Sequence, residues 1–94
     1  MKSFSYVITD ENGIHARPAG MLVKKASKFE SDIDIAVIKS DNTRKEIDKK
    51  VNCKRLFAVM SLGAKKGDTI VFEIIGKDAN EAIEEIEEFV KENF

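Results

Sequence analysis

The sequence has little of several features on which whole classes of protein depend. Its single cysteine, Cys53, cannot close a disulfide within the chain. Sixteen basic and seventeen acidic side chains leave a net charge of -1, which argues against a nucleic-acid binder. No apolar run is long enough to span a membrane, and no secretory signal is apparent. We therefore expect a cytoplasmic chain that neither binds nucleic acid nor inserts into a membrane.

The chain also has no cluster of residues at the spacing of metal ligands. Neither Cys53 nor the single histidine has a Cys-x-x-Cys pair or a similar group beside it, so we expect no metal and no cofactor. Cys53 is predicted to pack as a small apolar residue. The 94 residues, 43% hydrophobic and 35% charged, have a globular balance and are too few for two cores, which predicts one domain over residues 1–94.

The spacing of apolar residues predicts seven elements. Alternation in steps of two predicts four strands, at residues 3–9, at 33–37, in a stretch leading to Val51, and at 69–75. Recurrence every three or four residues predicts three helices, one beginning near Ala16 or Arg17, one over 56–62 that Gly63 ends with a left-handed cap, and one from Ala79. The order is β-α-β-β-α-β-α.

This order predicts an α+β protein. One apolar face on the sheet and three apolar helix stripes can be buried together if all the helices pack on one side of a four-stranded antiparallel sheet, an open-faced β-sandwich. A right-handed crossover through the first helix would make the first two strands run parallel without being neighbours.

The only histidine, His15, lies between a strand and the start of a helix. Amides at a helix start lack partners and favour a negative charge, so a phosphoryl group on His15 would be stabilised there. Arg17 can donate charge-assisted hydrogen bonds to the same anion, and Pro18 suits a first helical turn. Taken singly, His15 could be a surface or capping residue, Arg17 a solvated charge and Pro18 a helix starter. Together they indicate an accessible anion site.

Residues 13–19, GIHARPA, resemble the active-site motif of HPr, the histidine-containing phosphocarrier family of the bacterial phosphoenolpyruvate:sugar phosphotransferase system. The stretches ASKF at 26–29 and VMSLG at 59–63, and the turn at Gly67, resemble the same family in order and spacing. The resemblance implies that His15 accepts phosphate on Nδ1 from enzyme I and passes it to sugar-specific enzyme IIA domains. It also implies a carrier that is a substrate of its partner enzymes, not an enzyme itself.

The resemblance further implies the roles of neighbouring residues. Arg17 would stabilise the phosphohistidine, and Ala16 and Pro18 would position it. Partners would dock on exposed residues around the site, at Gly20, Met21, Lys24, Leu56, Phe57 and Met60. Ordinary core packing is the alternative for Leu56, Phe57 and Met60, and we expect these residues to divide between core and surface. A monomer would leave this face free.

Two departures from the family pattern bear on regulation. Arg55 occupies the position at which HPr proteins of Gram-positive bacteria carry a regulatory serine, so that switch should be absent; Ser61 fits a helix end instead. About nine additional residues lie between Ser40 and Lys50, and we interpret them as a solvated, charge-rich hairpin. These features leave open an alternative, a regulatory binding module that signals carbon or nitrogen status.

Overall fold

The computed structural model describes residues 1–41, 46–47 and 49–94 and follows the predicted order of elements. The strands are β1 (Lys2–Val7), β2 (Asp32–Ile38), β3 (Lys49–Asn52) and β4 (Thr69–Ile75). The helices are α1 (Ala16–Ala26), α2 (Leu56–Met60) and α3 (Ala79–Asn93). The predicted α+β class and the β-α-β-β-α-β-α order are confirmed.

The sheet brings the ends of two distant strands to one place. Its strand order is β1-β4-β2-β3, and every neighbouring pair is antiparallel. Val7 of β1 and Ile38 of β2 both lie opposite Thr69 of β4, one on each side. The strands β1 and β2 therefore run parallel without being neighbours, as predicted. Both finish at the same end of the sheet, and from this end the chain continues into α1.

The core lies between one face of the sheet and the helices. Ile70, Phe72 and Ile74, which alternate along β4, are fully buried, and Phe4 stacks on Phe72 at a centroid distance of 4.7 Å. The helices contribute buried residues at helical spacing, namely Ala19, Leu22, Ala26, Val59, Ala82, Ile86 and Val90. A fully buried side chain such as Phe72 contributes about 1.5–3 kcal/mol to the free energy of unfolding. Alternating apolar residues thus determine which face of the sheet the helices cover.

At the end of the sheet away from His15, the side chain of Asp78 connects two segments of the chain. Its carboxylate accepts hydrogen bonds from the backbone N–H groups of Glu30 (2.8 Å) and Ser31 (2.9 Å) and from the Ser31 hydroxyl. The hydroxyl bond, followed by the bond from Glu30, holds the pKa of Asp78 below its usual value. This residue ties the turn after α1 to the start of α3.

Two predicted element ends were less accurate than the order, and one predicted hairpin lies partly outside the described residues. The strand β1 ends at Val7 because Ile8 and Thr9 bond outside the β1–β4 ladder, Ile8 N to the Asp68 carbonyl and Thr9 N to Phe94. The helix α2 ends at Met60, with Ser61 as its C-cap, so the left-handed Gly63 (φ 61°) follows the helix at a short distance. Of the expected hairpin between Ser40 and Lys50, residues 42–45 and 48 lie outside the described residues.

Candidate functional site

His15 is the N-cap residue of α1. Its backbone is extended (φ -126°, ψ 171°), and its carbonyl accepts the hydrogen bond from Ala19 N at 3.0 Å that begins the helix. The half-buried side chain makes no capping hydrogen bond. Within the described part of the chain, the N–H groups of Ala16 and Arg17 donate to no backbone or side-chain acceptor, and Pro18 has no N–H. His15 therefore directly precedes these unpaired amides, at the positive end of a helix.

The loop between β1 and His15 is fixed at its start by the C-terminal end of α3. The N–H groups of Thr9 and Asp10 both donate to the Phe94 carbonyl oxygen, at 2.7 and 2.8 Å. The Asp10 carboxylate accepts the N–H of Asn12 at 2.7 Å, and its carbonyl accepts the N–H of Gly13 at 3.0 Å. These bonds hold residues 9–13 in a compact turn that leads to Ile14 and His15.

The last two residues before His15 lie against the turn formed by residues 63–68. Ile14 N donates to the Ala64 carbonyl oxygen at 3.0 Å. Gly13 has a positive φ of 61°, and a Cβ there would collide with that carbonyl oxygen and lie 2.8 Å from Lys65 Cα. Glycine is thus required at position 13 for two reasons: the positive φ and the close approach of the two backbone segments.

A buried carboxylate organises this 63–68 turn. Asp68 is 3% exposed and accepts hydrogen bonds from Lys39 Nζ (2.6 Å), Ser40 N (2.8 Å) and Lys65 N (2.9 Å). Burial alone would raise the pKa of Asp68, but the bond from Lys39, the two backbone bonds and the Lys39 charge outweigh it and lower this pKa. Sequence reasoning missed Lys39, Ala64 and Asp68, and no local pattern marks them.

Arg17 is exposed in the first turn of α1, beside Ala16, which is also exposed, and Pro18, which is half-buried. Within residues 1–41, 46–47 and 49–94, the Arg17 guanidinium forms no ion pair or hydrogen bond. Its five donors are therefore available to an anion at the start of the helix.

The helix α1, which begins after His15, and the helix α2, which contacts α1, both carry exposed apolar side chains. Met21 of α1 is 50% exposed, and Phe57 and Met60 of α2 are 85% and 37% exposed; we call these three residues the apolar face. Leu56 is half-buried and packs against the core. The expected division of the α2 residues between core and surface is confirmed. Gly20 is half-buried, with open space where a Cβ would lie.

Basic residues continue from the apolar face along α1. Met21, Lys24, Lys25, Lys28 and Phe89 line a shallow groove between α1 and α3. Lys25 and Lys28 both contact the Glu85 carboxylate, at 3.5 and 3.4 Å. Such exposed ion pairs contribute only about 0–1 kcal/mol each, so the groove can exchange them for contacts with another molecule.

The remaining candidates have plain structural surroundings. Arg55 is the exposed N-cap of α2, and the Ser61 hydroxyl donates to the Ala58 carbonyl oxygen at 2.6 Å. Cys53 is fully buried, and burial raises the pKa of its thiol to about 12. In the described part of the chain, no group of three or more His, Cys, Asp or Glu residues could hold a metal ion. No helix among those residues is long and apolar enough to cross a membrane.

Comparison with known proteins gives one consistent family. The model of the HPr component of the phosphotransferase system, including its phosphorylation site, matches residues 2–92. The phosphocarrier protein HPr of Mycoplasma capricolum is 40% identical over 88 residues, which cover 94% of this chain and 89% of that protein. The solved structure of a Mycoplasma histidine-containing phosphocarrier protein superposes with a TM-score of 0.85 at 37% identity, covering 97% of this chain and 93% of that one.

A regulatory relative is also similar. The structure of Crh, a catabolite repression protein of Bacillus subtilis described as a domain-swapped dimer, has a TM-score of 0.68 and 31% identity, covering 93% of this chain and 90% of that one.

Proposed function

The chain belongs to the HPr family of phosphotransferase-system phosphocarriers, and from that premise we propose that His15 accepts a phosphoryl group from enzyme I and passes it to sugar-specific enzyme IIA domains. The observation that carries the proposal is the position of the only histidine, at the N-cap of α1 and just before two amides that have no acceptor among the described residues. The protein is then a substrate of its partner enzymes and supplies the accepting atom.

The chemistry follows from this position. The Nδ1 lone pair of His15 forms the new nitrogen–phosphorus bond as the bond from phosphorus to the donor breaks, and the second transfer reverses these roles. The phosphoryl oxygens add negative charge at the positive end of α1, where the helix dipole favours that charge by about 0.3–1 kcal/mol when exposed. The N–H groups of Ala16 and Arg17 and the Arg17 guanidinium are the donors for those oxygens. Pro18 has a fixed φ that suits the first helical turn, and it has no N–H group to donate to the phosphoryl oxygens.

Docking is assigned to the surface around His15. The apolar face presents Phe57, Met21 and Met60 to an apolar partner surface, and the half-buried Leu56 packs against the core. Lys24 and the open backbone at Gly20 complete the surface, which suits a partner that carries acidic residues around an apolar centre. We assign the protein to the cytoplasm as a monomer, because a monomer keeps this surface free for two partners in turn.

The experiment is phosphorylation by purified enzyme I with phosphoenolpyruvate and magnesium, followed by intact mass. The expected result is one acid-labile phosphoryl group, absent in His15→Ala. Arg17→Ala should be phosphorylated about tenfold more slowly, because a charge-assisted hydrogen bond to the transferred group is lost.

The matched control for Arg17→Ala is Lys77→Ala. Lys77 is an exposed cation in the turn between β4 and α3, at the far end of the sheet from His15. The Lys77→Ala variant should be phosphorylated at the rate of the unaltered protein. The proposal would be contradicted if His15→Ala were still phosphorylated. It would also be contradicted if the unaltered protein were not phosphorylated by an enzyme I that is shown to phosphorylate its own HPr.

A second candidate is a regulatory module that uses phosphorylation of His15 as a signal of carbon or nitrogen status. The similarity to Crh, a catabolite repression protein, favours this candidate. Arg55 excludes control through a serine at that position. Incubation of the phosphorylated protein with enzyme IIA domains separates the candidates, since a transport carrier loses its phosphoryl group to at least one of them. Size-exclusion chromatography with light scattering tests the monomer against the dimer known for Crh.

A further inference from the structure

The side chain of Lys39 joins the two ends of the 63–68 turn. Besides its ion pair with Asp68, Lys39 Nζ donates to the Gly63 carbonyl oxygen at 2.8 Å. One ammonium group therefore contacts the first and the last residue of the turn. Lys39 directly follows β2, so the contact attaches the turn to the end of one of the two central strands of the sheet.

The same turn supports the segment that ends at His15. Ala64 lies inside the turn, is 3% exposed, and accepts the Ile14 N–H that directly precedes His15. The turn is also bound to the end of β1, because Ile8 N donates to the Asp68 carbonyl oxygen and Ile8 O accepts from Gly67 N, both at 2.9 Å. Any displacement of Ala64 would be transmitted to His15 through one hydrogen bond and one peptide unit.

We propose that Lys39 and Asp68 are positioning residues for His15, which hold the 63–68 turn so that the imidazole keeps its place at the start of α1. The inference rests on the proposed function of His15 as phosphoryl acceptor. Neither Lys39 nor Asp68 forms a hydrogen bond or ion pair with His15, and in this proposal both act through Ala64 and Ile14. Phosphoryl transfer is sensitive to such placement, because an error of about 1 Å in the reacting group can reduce its rate by about a hundredfold.

The geometry distinguishes positioning from general stabilisation. Removal of the Lys39 ammonium leaves Asp68 with its two backbone donors, Ser40 N and Lys65 N, so the carboxylate stays partly paired. What is lost is the link between the carboxylate and the Gly63 carbonyl. We therefore expect the turn to loosen locally while the β-sheet ladder remains intact.

The test uses Lys39→Met, which keeps much of the apolar stem of lysine, with hydrogen exchange at individual amides. The Ile14 amide reports the bond to Ala64, and the Phe72 amide, in the central strand β4, reports global unfolding. Protection of Ile14 should fall about tenfold relative to that of Phe72, which is the effect expected from loss of hydrogen bonds to a charged group. The kcat/KM for phosphorylation by enzyme I should fall by about the same factor.

Two further variants make the comparison sharp. Lys39→Arg retains a cation with several donors and should restore most of the Ile14 protection and of the phosphorylation rate. Lys50→Met is the matched control, because Lys50 also forms a 2.7 Å ion pair, with Glu73, but is remote from the 63–68 turn. It should leave both quantities unchanged.

Other results of the same experiments would overturn the inference or the proposed function. An equal loss of protection at Ile14 and Phe72 in Lys39→Met would show a merely stabilising ion pair and overturn the inference. Unchanged protection at Ile14, or an unchanged kcat/KM, would overturn it as well, while efficient phosphorylation of the unaltered protein would leave the proposed function standing. Failure of the unaltered protein to be phosphorylated would instead contradict the proposed function, and the positioning role with it.

Discussion

Three glycine-to-alanine substitutions measure how strongly the segment before His15 is constrained. Gly63 needs a positive φ of 61° but has open space around a Cβ; Gly13 has the same φ and a colliding neighbour. Gly20 lies inside α1 with open space and an ordinary helical conformation. The three positions therefore separate the cost of the backbone dihedral from the cost of the close contact.

The expected changes in the free energy of unfolding follow from these surroundings. Gly63→Ala should lose about 1–2 kcal/mol, the cost of a left-handed conformation for a residue with a Cβ. Gly13→Ala should lose about 2–5 kcal/mol, because overpacking against the Ala64 carbonyl adds about 1–3 kcal/mol. Gly20→Ala should gain about 0.5–1 kcal/mol, since alanine loses less backbone entropy in a helix.

Urea denaturation followed by circular dichroism measures all three variants against the unaltered protein. In a domain of this size each kcal/mol corresponds to about 4–8 °C in Tm, so the predicted order is readily resolved. If Gly13→Ala is within about 0.5 kcal/mol of Gly63→Ala, the contact between Gly13 and Ala64 does not constrain the chain. The account of how His15 is supported would then be wrong.

Three other predictions each concern one residue, namely Asp68, Phe57 and Cys53. The lowered pKa of Asp68 means that its contribution to stability is present above its unfolded pKa of about 3.9 and is lost as pH falls through the folded value. Asp68→Asn should therefore be clearly less stable than the unaltered protein in urea at pH 7, with a difference that shrinks below about pH 4; an equal difference at pH 7 and pH 3 would refute this. Phe57→Ala, at an 85% exposed position, should change stability by less than about 0.5 kcal/mol yet slow phosphorylation by enzyme I, whereas Ile75→Ala, on the open face of the sheet, should leave the rate unchanged. Cys53, buried with a pKa of about 12, should not react with a thiol reagent at pH 8 until the protein is unfolded, and rapid labelling of the folded protein would contradict its burial.

Much of the fold was predictable because its signals are local. Alternation in β1, β2 and β4 and helical spacing in α1 and α3 reflect which side chains face the core, and these periods are legible in any short window. The placement of His15 at a helix start depends on the few residues around Pro18, so it was predictable as well. The ends of β1 and α2 were less predictable, because hydrogen bonds to distant residues decide where a ladder or a helix stops.

The sequence by itself thus determined the order of elements, the buried face of each, and the motif that presents His15 and Arg17 at the start of α1. Only the tertiary structure decided what holds that motif in place: Ala64 against Ile14, Asp68 and Lys39 behind the turn, and the division of α2 into a core side and the apolar face. The physical reason is that these contacts join residues far apart in the chain. Their partners are set by strand order and helix packing, and no local period of side chains encodes them.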